Sequence, residues 1–200
     1  MNRYLVGALL VATMGVPAFA ALKLNDKAPD FSTKASLAGK EFAFSLKDTL
    51  KKGPVVVYFY PSAFTGGCNI QAHTFAENKD QFDAAGASII GVSRDSIVRL
   101  NAFSADPQYC AGKIAVASDP DGAIATSYGL AKMDIKPGMK DSRGVEIDHE
   151  FTERTTFVVT PDGKVAATFS TSDDKISPAD HVQKSLATVQ QLAGHKPSKN

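Results

Sequence analysis

Residues 53–68 read GPVVVYFYPSAFTGGC, and the fold follows from how this stretch changes character along its length. Residues 55–60 form a continuous β-branched and aromatic run with turn residues on both sides, the pattern of a strand buried on both faces. Pro61 ends the run and Gly66-Gly67 mark a turn. Over residues 69–85, Ile70, Phe75, Ala76 and Phe82 then keep a loosely helical spacing. Strand, Gly-bearing turn and helix follow in that order, with Cys68 at the point where the helix is launched.

Working outward, the alternation repeats. Residues 87–92 read as strand, 96–105 as helix, 114–118 as strand and 122–128 as a short helix. Repeated βα units imply a mostly parallel sheet covered by helices. The last third differs: residues 155–160 and 164–169 flank Pro161-Asp162-Gly163, a turn tripeptide between two strand-like runs, which predicts an antiparallel hairpin. A closing helix is signalled by Ser177 as N-cap, Pro178 at the first position, and Val182, Leu186, Val189 and Leu192 on one face, with Gly194 past its end. Residues 132–149 are polar and contain Pro137, Gly138 and Gly144, so they read as a surface loop, ordered or partly mobile. The expected fold is α/β and thioredoxin-like, a central mixed sheet flanked by helices.

Two hundred residues with 44% hydrophobic and 22% charged side chains suit one globular domain, and twelve Phe and five Tyr leave ample core material. Disordered and fibrous classes are excluded. Residues 1–20 carry a different message: Arg3 gives a positive start, an apolar stretch follows, and Ala18-Phe19-Ala20 forms a small-residue cleavage site. They are expected to be a secretory signal peptide, leaving residues 21–200 as the domain, with 195–200 as a frayed tail. Removing Arg3 takes the 22 basic residues to 21, against 21 acidic ones, so the mature chain has zero formal charge. Bulk electrostatic binding to nucleic acid or to an anionic membrane is not expected.

An exported chain enters an oxidising compartment, a bacterial periplasm in this reading, where Cys68 and Cys110 either pair structurally or work as a redox couple. About 180 residues can be stabilised by their own core, which moves weight toward chemistry. A thiol in the first turn of a helix faces unpaired N–H groups and the positive end of the dipole, which favours thiolate. The alternative is a buried, inert Cys68. A free thiol near pKa 8.5 is only about 3% ionised at pH 7, and bringing it to about 6 needs roughly 3.4 kcal/mol. A helix terminus supplies at most about 2 kcal/mol. A second positive group is required, and the mature chain offers Arg94, Arg99, Arg143 and Arg154. Arg154 stands directly before the run 155–160, at a rigid strand mouth.

Residues 61–68, Pro61-Ser62-Ala63-Phe64-Thr65-Gly66-Gly67-Cys68, resemble the P-x-x-x-T-x-x-C signature of the peroxiredoxins. The resemblance continues through Ala28-Pro29-Asp30-Phe31, the Gly91-Val92-Ser93-Arg94-Asp95-Ser96 segment, Ser118-Asp119-Pro120-Asp121-Gly122, and Arg154 through the Pro161-Asp162-Gly163 turn. It covers nearly the whole mature chain and is similar to the Q-type branch of the alkyl hydroperoxide reductase and thiol-specific antioxidant type. It implies a thioredoxin-like fold with a peroxiredoxin N-terminal extension and a thiol-dependent peroxidase acting on hydrogen peroxide or alkyl hydroperoxides. Cys68 becomes the peroxidatic nucleophile, and Thr65 the hydroxyl that holds the thiolate and the incoming peroxide oxygen. Pro61 becomes a shield against water, and Arg154 the strand-borne arginine that stabilises thiolate and oxyanion. Gln71 sits where the family orients that arginine, and Phe64 is a packing residue. The family also implies a thioredoxin-like or other thiol reductant and a possible homodimer through the active-site side.

Each residue also has a plainer reading. Thr65 can cap the helix, Pro61 can end the strand, and Arg154 can pair with Glu150 or Glu153 at the surface. His73 lies about 140° around the helix from Cys68. His149, His181 and His195 show no metal-ligand spacing with either Cys, so neither metal nor cofactor is expected. Many Q-type members carry a second cysteine five residues after the first, but that position is His73 here. Cys110, between Pro107 and Gly112, is instead expected to resolve the Cys68 sulfenic acid, with a one-cysteine mechanism as the alternative. The rival functions are an exported thioredoxin-like disulfide oxidoreductase, which needs C-x-x-C where this chain has Gln71, and a thioredoxin-fold metal-binding protein, which needs a second Cys where it has Ala72.

Overall fold

A computed structural model describes residues 20–194. The expected leader, apart from Ala20, and the expected frayed tail at 195–200 lie outside the described residues. The chain opens with a hairpin, β1 (Ser32–Leu37) and β2 (Lys40–Ser45), followed by α1 (Leu46–Leu50) and β3 (Val55–Phe59). The site-bearing segment comes next as α2 (Gly66–Glu77) and α3 (Lys79–Ala84). It leads into β4 (Ser88–Ser93), α4 (Ile97–Ala105), β5 (Ala115–Ser118) and α5 (Ala123–Ser127). The last third holds β6 (Lys132–Met133), β7 (Phe151–Thr152), β8 (Thr155–Val159), β9 (Val165–Ser170), α6 (Thr171–Asp174) and α7 (Pro178–Gly194).

Seven strands form one mixed sheet in the order β2-β1-β5-β4-β3-β8-β9, with β6 and β7 in a separate two-stranded ribbon. β3 is central, parallel to β4 and antiparallel to β8, and every one of its residues is buried. Its two-residue alternation divides the core. Val55, Val57 and Phe59 join Phe31, Ile90, Tyr128 and Phe157 in one layer. Val56, Tyr58 and Tyr60 face the other, with Phe75, Phe103, Val182 and both cysteines. A side chain on Gly91 would meet the Tyr58 ring at 2.5 Å, so the bulk of Tyr58 is bought with a bare backbone on the neighbouring strand.

Three expectations need correction. The helix expected over 69–85 starts at Gly66 and divides at Asn78, whose backbone leaves the helical region and whose side-chain amide donates to the Thr74 carbonyl at 2.8 Å. Gly194 ends inside α7 rather than beyond it. The sheet is mixed rather than mostly parallel: β3–β4 and β4–β5 are parallel, while the pairings β1–β2, β1–β5, β3–β8 and β8–β9 are antiparallel. The polar loop 132–149 takes the ordered form: it carries β6, a bridge between Lys140 and Glu146, and a turn closed by the Asp141 amide on the Val145 carbonyl at 2.8 Å. Among the described residues no helix is long and apolar enough to cross a membrane.

Candidate active site

The parallel pairing of β3 with β4 aligns their carboxyl ends, Phe59 against Val92, so the segments that leave both strands meet at one edge. Cys68 enters this edge as the third residue of α2 and is 2% exposed. The Thr65 side chain makes no cap bond, which leaves the first amides of α2 directed at the site. A side chain on Gly67 would meet Arg154 Nη2 at 3.1 Å and Pro178 Cγ at 3.3 Å. Gly67, which weakens the helix on propensity grounds, thus leaves room for a guanidinium.

Arg154, at the mouth of β8 and 9% exposed, fills that room. Its Nη2 donates to Cys68 Sγ at 3.1 Å, and its Nη1 donates to Gln71 Oε1 at 2.5 Å. Gln71, one turn along α2 and fully buried, therefore accepts from the arginine. Among the described residues Arg154 makes no surface ion pair. Glu150 is engaged by Arg94 at 3.2 Å and Lys132 at 3.1 Å, and Glu153 accepts from Ser170 and Ser172. The other candidate arginines are committed elsewhere, Arg99 to Asp95 and Asp141, both at 2.8 Å, and Arg143 to Asp141.

Thr65 stands at the N-cap position of α2. Its hydroxyl hydrogen goes to the Ser62 carbonyl at 2.7 Å, so it neither caps α2 nor donates to the sulfur, and only its lone pairs remain available. Pro61 is half-buried at the strand end. Phe64 is buried in the left-handed region at φ 62°, packed against Phe103 and Tyr109 with ring centroids at 5.0 and 5.6 Å, and covered by the Arg143 guanidinium. His73 is half-exposed and faces Glu77 at 3.3 Å, away from the site.

Cys110 is a free thiol with no exposed surface, in the same apolar layer as Cys68. Its turn is not loose. The Tyr109 and Ala111 amides both donate to the Asp106 carbonyl, and the Gly112 amide donates to the Ser104 carbonyl. Burial, with a smaller contribution from Asp106, pushes its thiol far above the ordinary range. Tyr58 in the same layer is held as a phenol by burial and then by the two thiols, and its hydroxyl has no hydrogen-bond partner among the described residues.

Sequence reasoning missed a carboxylate hub behind the site. Asp95, fully buried, accepts from the Ala63 amide at 2.7 Å, Ser62 Oγ at 2.8 Å, Ser93 Oγ at 2.7 Å and His149 Nε2 at 2.9 Å. Burial alone would raise its pKa, but these donors, His149 first, lower it. His149 Nδ1 lies 2.9 Å from the Glu150 carbonyl, so only the imidazolium satisfies both contacts as a donor. Burial works against that charge, yet Asp95 outweighs it and raises the histidine. The hub fixes residues 61–64, and the Ser142 amide adds a bond to the Phe64 carbonyl at 2.9 Å. Asp95 was within reach of sequence reasoning, since a residue just past β4 must land beside the residue just past β3. His149 gave no local signal.

Among the described residues no cluster of His, Cys, Asp or Glu could hold a metal ion. A buried thiol, a guanidinium on its sulfur and a helix terminus behind it form a site for a sulfur nucleophile. Comparison with known proteins points the same way. The AhpC/TSA family model matches residues 24–168. The chain is 32% identical over 135 residues to Peroxiredoxin Bcp of Xanthomonas campestris, covering 68% of this chain and 75% of that one. Among solved structures, peroxidoxin BcpB of Mycobacterium tuberculosis superposes with a TM-score of 0.70 at 28% identity, over 86% of this chain and 98% of the other. Peroxiredoxin Q of Xanthomonas campestris does so with a TM-score of 0.62 at 29% identity, over 80% and 90%.

Proposed function

Because the chain belongs to the AhpC/TSA family and is a peroxiredoxin of Q type, a thiol-dependent peroxidase that takes a peroxide and a thiol reductant, we propose that Cys68 is its peroxidatic atom and Cys110 its resolving one. The observation that carries the first assignment is the 3.1 Å bond from Arg154 Nη2 to Cys68 Sγ inside a buried site. The thiolate attacks one peroxide oxygen, an S–O bond forms as the O–O bond breaks, and the leaving oxygen departs as alcohol or water after taking a proton. Arg154 faces both the starting thiolate and the developing oxyanion, which is where a preorganised donor acts most strongly. The free lone pairs of Thr65 accept the peroxide hydrogen, and Pro61 shields the sulfur. Hydrogen peroxide and alkyl hydroperoxides are the substrate class.

In the second step Cys110 attacks the Cys68 sulfur, an S–S bond forms and water leaves; a thioredoxin-like dithiol then restores both thiols by exchange. Both sulfurs are buried, so the turn at 106–113 and the start of α2 must open first. Two non-glycine residues in the left-handed region support this, Phe64 beside one thiol and Ala111 at φ 52° beside the other, each storing about 1–3 kcal/mol of strain. Export to a periplasm, with residues 1–20 as the removed leader, belongs to the same proposal, and the N-terminus of the mature protein tests it. So does a homodimer through the active-site side, supported by the exposed apolar Ile70 and Val98 and tested by sedimentation. The central test is Cys68→Ser, which is expected to abolish peroxide consumption. Retained turnover in that variant overturns the assignment.

A further inference from the structure

Behind Arg154 the hydrogen bonds do not stop at Gln71. Gln71 Nε2 lies 3.5 Å from Thr156 Oγ1, and Thr156 Oγ1 lies 3.0 Å from His181 Nδ1. His181 Nε2 in turn lies 2.9 Å from Thr171 Oγ1. Gln71, Thr156 and His181 have no exposed surface, so none can exchange these partners for water. The Thr171 amide donates to the Arg154 carbonyl at 3.1 Å, which ties the far end of the relay back to the arginine's own backbone.

One assignment of hydrogens satisfies every link and also gives the buried Thr156 hydroxyl hydrogen an acceptor. Arg154 has only donors, so Gln71 must present its oxygen to Arg154 and its amino group to Thr156. Thr156 then accepts from Gln71 and gives its own hydrogen to His181 Nδ1. His181 must be neutral with its hydrogen on Nε2, which it donates to Thr171. A reversed Gln71 amide would set two donors face to face at Arg154. The imidazole is thus the acceptor that holds the whole sequence in one direction. Burial, and then the positive charge of Arg154, lower the His181 pKa to about 4, with Asp174 and Asp180 acting weakly in the other sense, so the neutral form persists near neutrality.

We propose that His181 is a positioning residue for the peroxidase reaction: from α7, through Thr156 and Gln71, it fixes the Arg154 guanidinium against the Cys68 sulfur. This rests on Cys68 being the attacking atom. It gives the C-terminal helix a part in the chemistry, exerted through Thr156 and Gln71.

The test is the thiolate absorbance of Cys68 followed against pH in a Cys110→Ser background, together with the second-order rate for peroxide. His181→Leu is expected to move the midpoint of thiolate formation up by roughly one unit and to slow the rate about tenfold. His181→Asn, whose Oδ1 can stand where Nδ1 stood, is expected to recover most of both. A folded His181→Leu with the parent midpoint and rate makes the histidine structural only and overturns the proposal. If that variant does not fold, Thr156→Val decides, since it removes the intermediate hydroxyl with little change of shape. The same upward shift is expected there, and an unchanged midpoint overturns the proposal. A failure of the Cys68 assignment shows separately, as a thiolate signal or peroxide turnover that survives Cys68→Ser.

Discussion

Cys68 and Cys110 lie in one apolar layer of one domain, at 2% and 0% exposure, yet their surroundings differ in kind. Cys68 stands in the first turn of a helix, with a guanidinium on its sulfur and a file of hydrogen-bonded side chains behind that guanidinium. Cys110 sits in a closed turn among Phe103, Tyr109 and Ile114, with burial and the Asp106 charge both acting against its thiolate. Burial by itself therefore keeps a thiol protonated. What separates the nucleophile from its partner is a fixed cation, and a cation remains fixed in an apolar layer only when its other donors are satisfied.

The comparison breaks most visibly if the cation is removed. Arg154→Ala is expected to lower the second-order rate with peroxide about 10²–10³-fold, the loss typical of a donor to a developing oxyanion. It should also move Cys68 toward the behaviour of Cys110. A stopped-flow rate that does not change at neutral pH would assign the electrostatic role to another group.

A second variant sharpens the contrast through the hub that holds residues 61–64, which Cys110 lacks. Asp95→Ala leaves the His149 charge without its carboxylate and Arg99 with Asp141 alone, and is expected to lower stability by about 3–5 kcal/mol in denaturant unfolding. A loss below about 1 kcal/mol would mean that the hub contributes little to the loop.

The smallest effect is a pair of opposed pH dependences. His149 is raised in the folded state by Asp95, so its contribution is complete below the unfolded value of about 6.5 and is lost as pH rises through the folded value. His181 is lowered to about 4, so its contribution is complete above about 6.5 and is lost as pH falls toward 4. Unfolding free energy measured from pH 4 to 9 should lose its alkaline slope in His149→Asn and part of its acid slope in His181→Asn. The same slope lost in both variants would contradict the two assignments.

The parts legible in the sequence are those whose cause is local. The β3 run, the turn before Cys68, the closing hairpin and the Ser177-Pro178 helix start each carry their own signal within a few residues. Arg154 is legible because a strand mouth and an energetic requirement coincide. The start of α2 at Gly66 is hidden because the Gly66-Gly67 pair reads as a turn, whereas here the bareness of Gly67 admits Arg154 and Pro178. What orders loop 132–149 is hidden because a polar segment reads alike whether ordered or mobile, while Asp141 is buried by pairing with Arg99 and Arg143. His181 and Thr156 meet Gln71 only through the packing of α7 on α2 and β8, which no local pattern records.

The most direct measurement of the whole account is the intact mass of the protein after one equivalent of peroxide, for the parent chain and for Cys110→Ser. The account predicts loss of two hydrogens in the parent, from a bridge between Cys68 and Cys110, and gain of one or more oxygens on Cys68 in the variant. A parent protein that accumulates oxygen on Cys68 while Cys110 stays free would contradict it and establish reduction of the sulfenic acid by an external thiol.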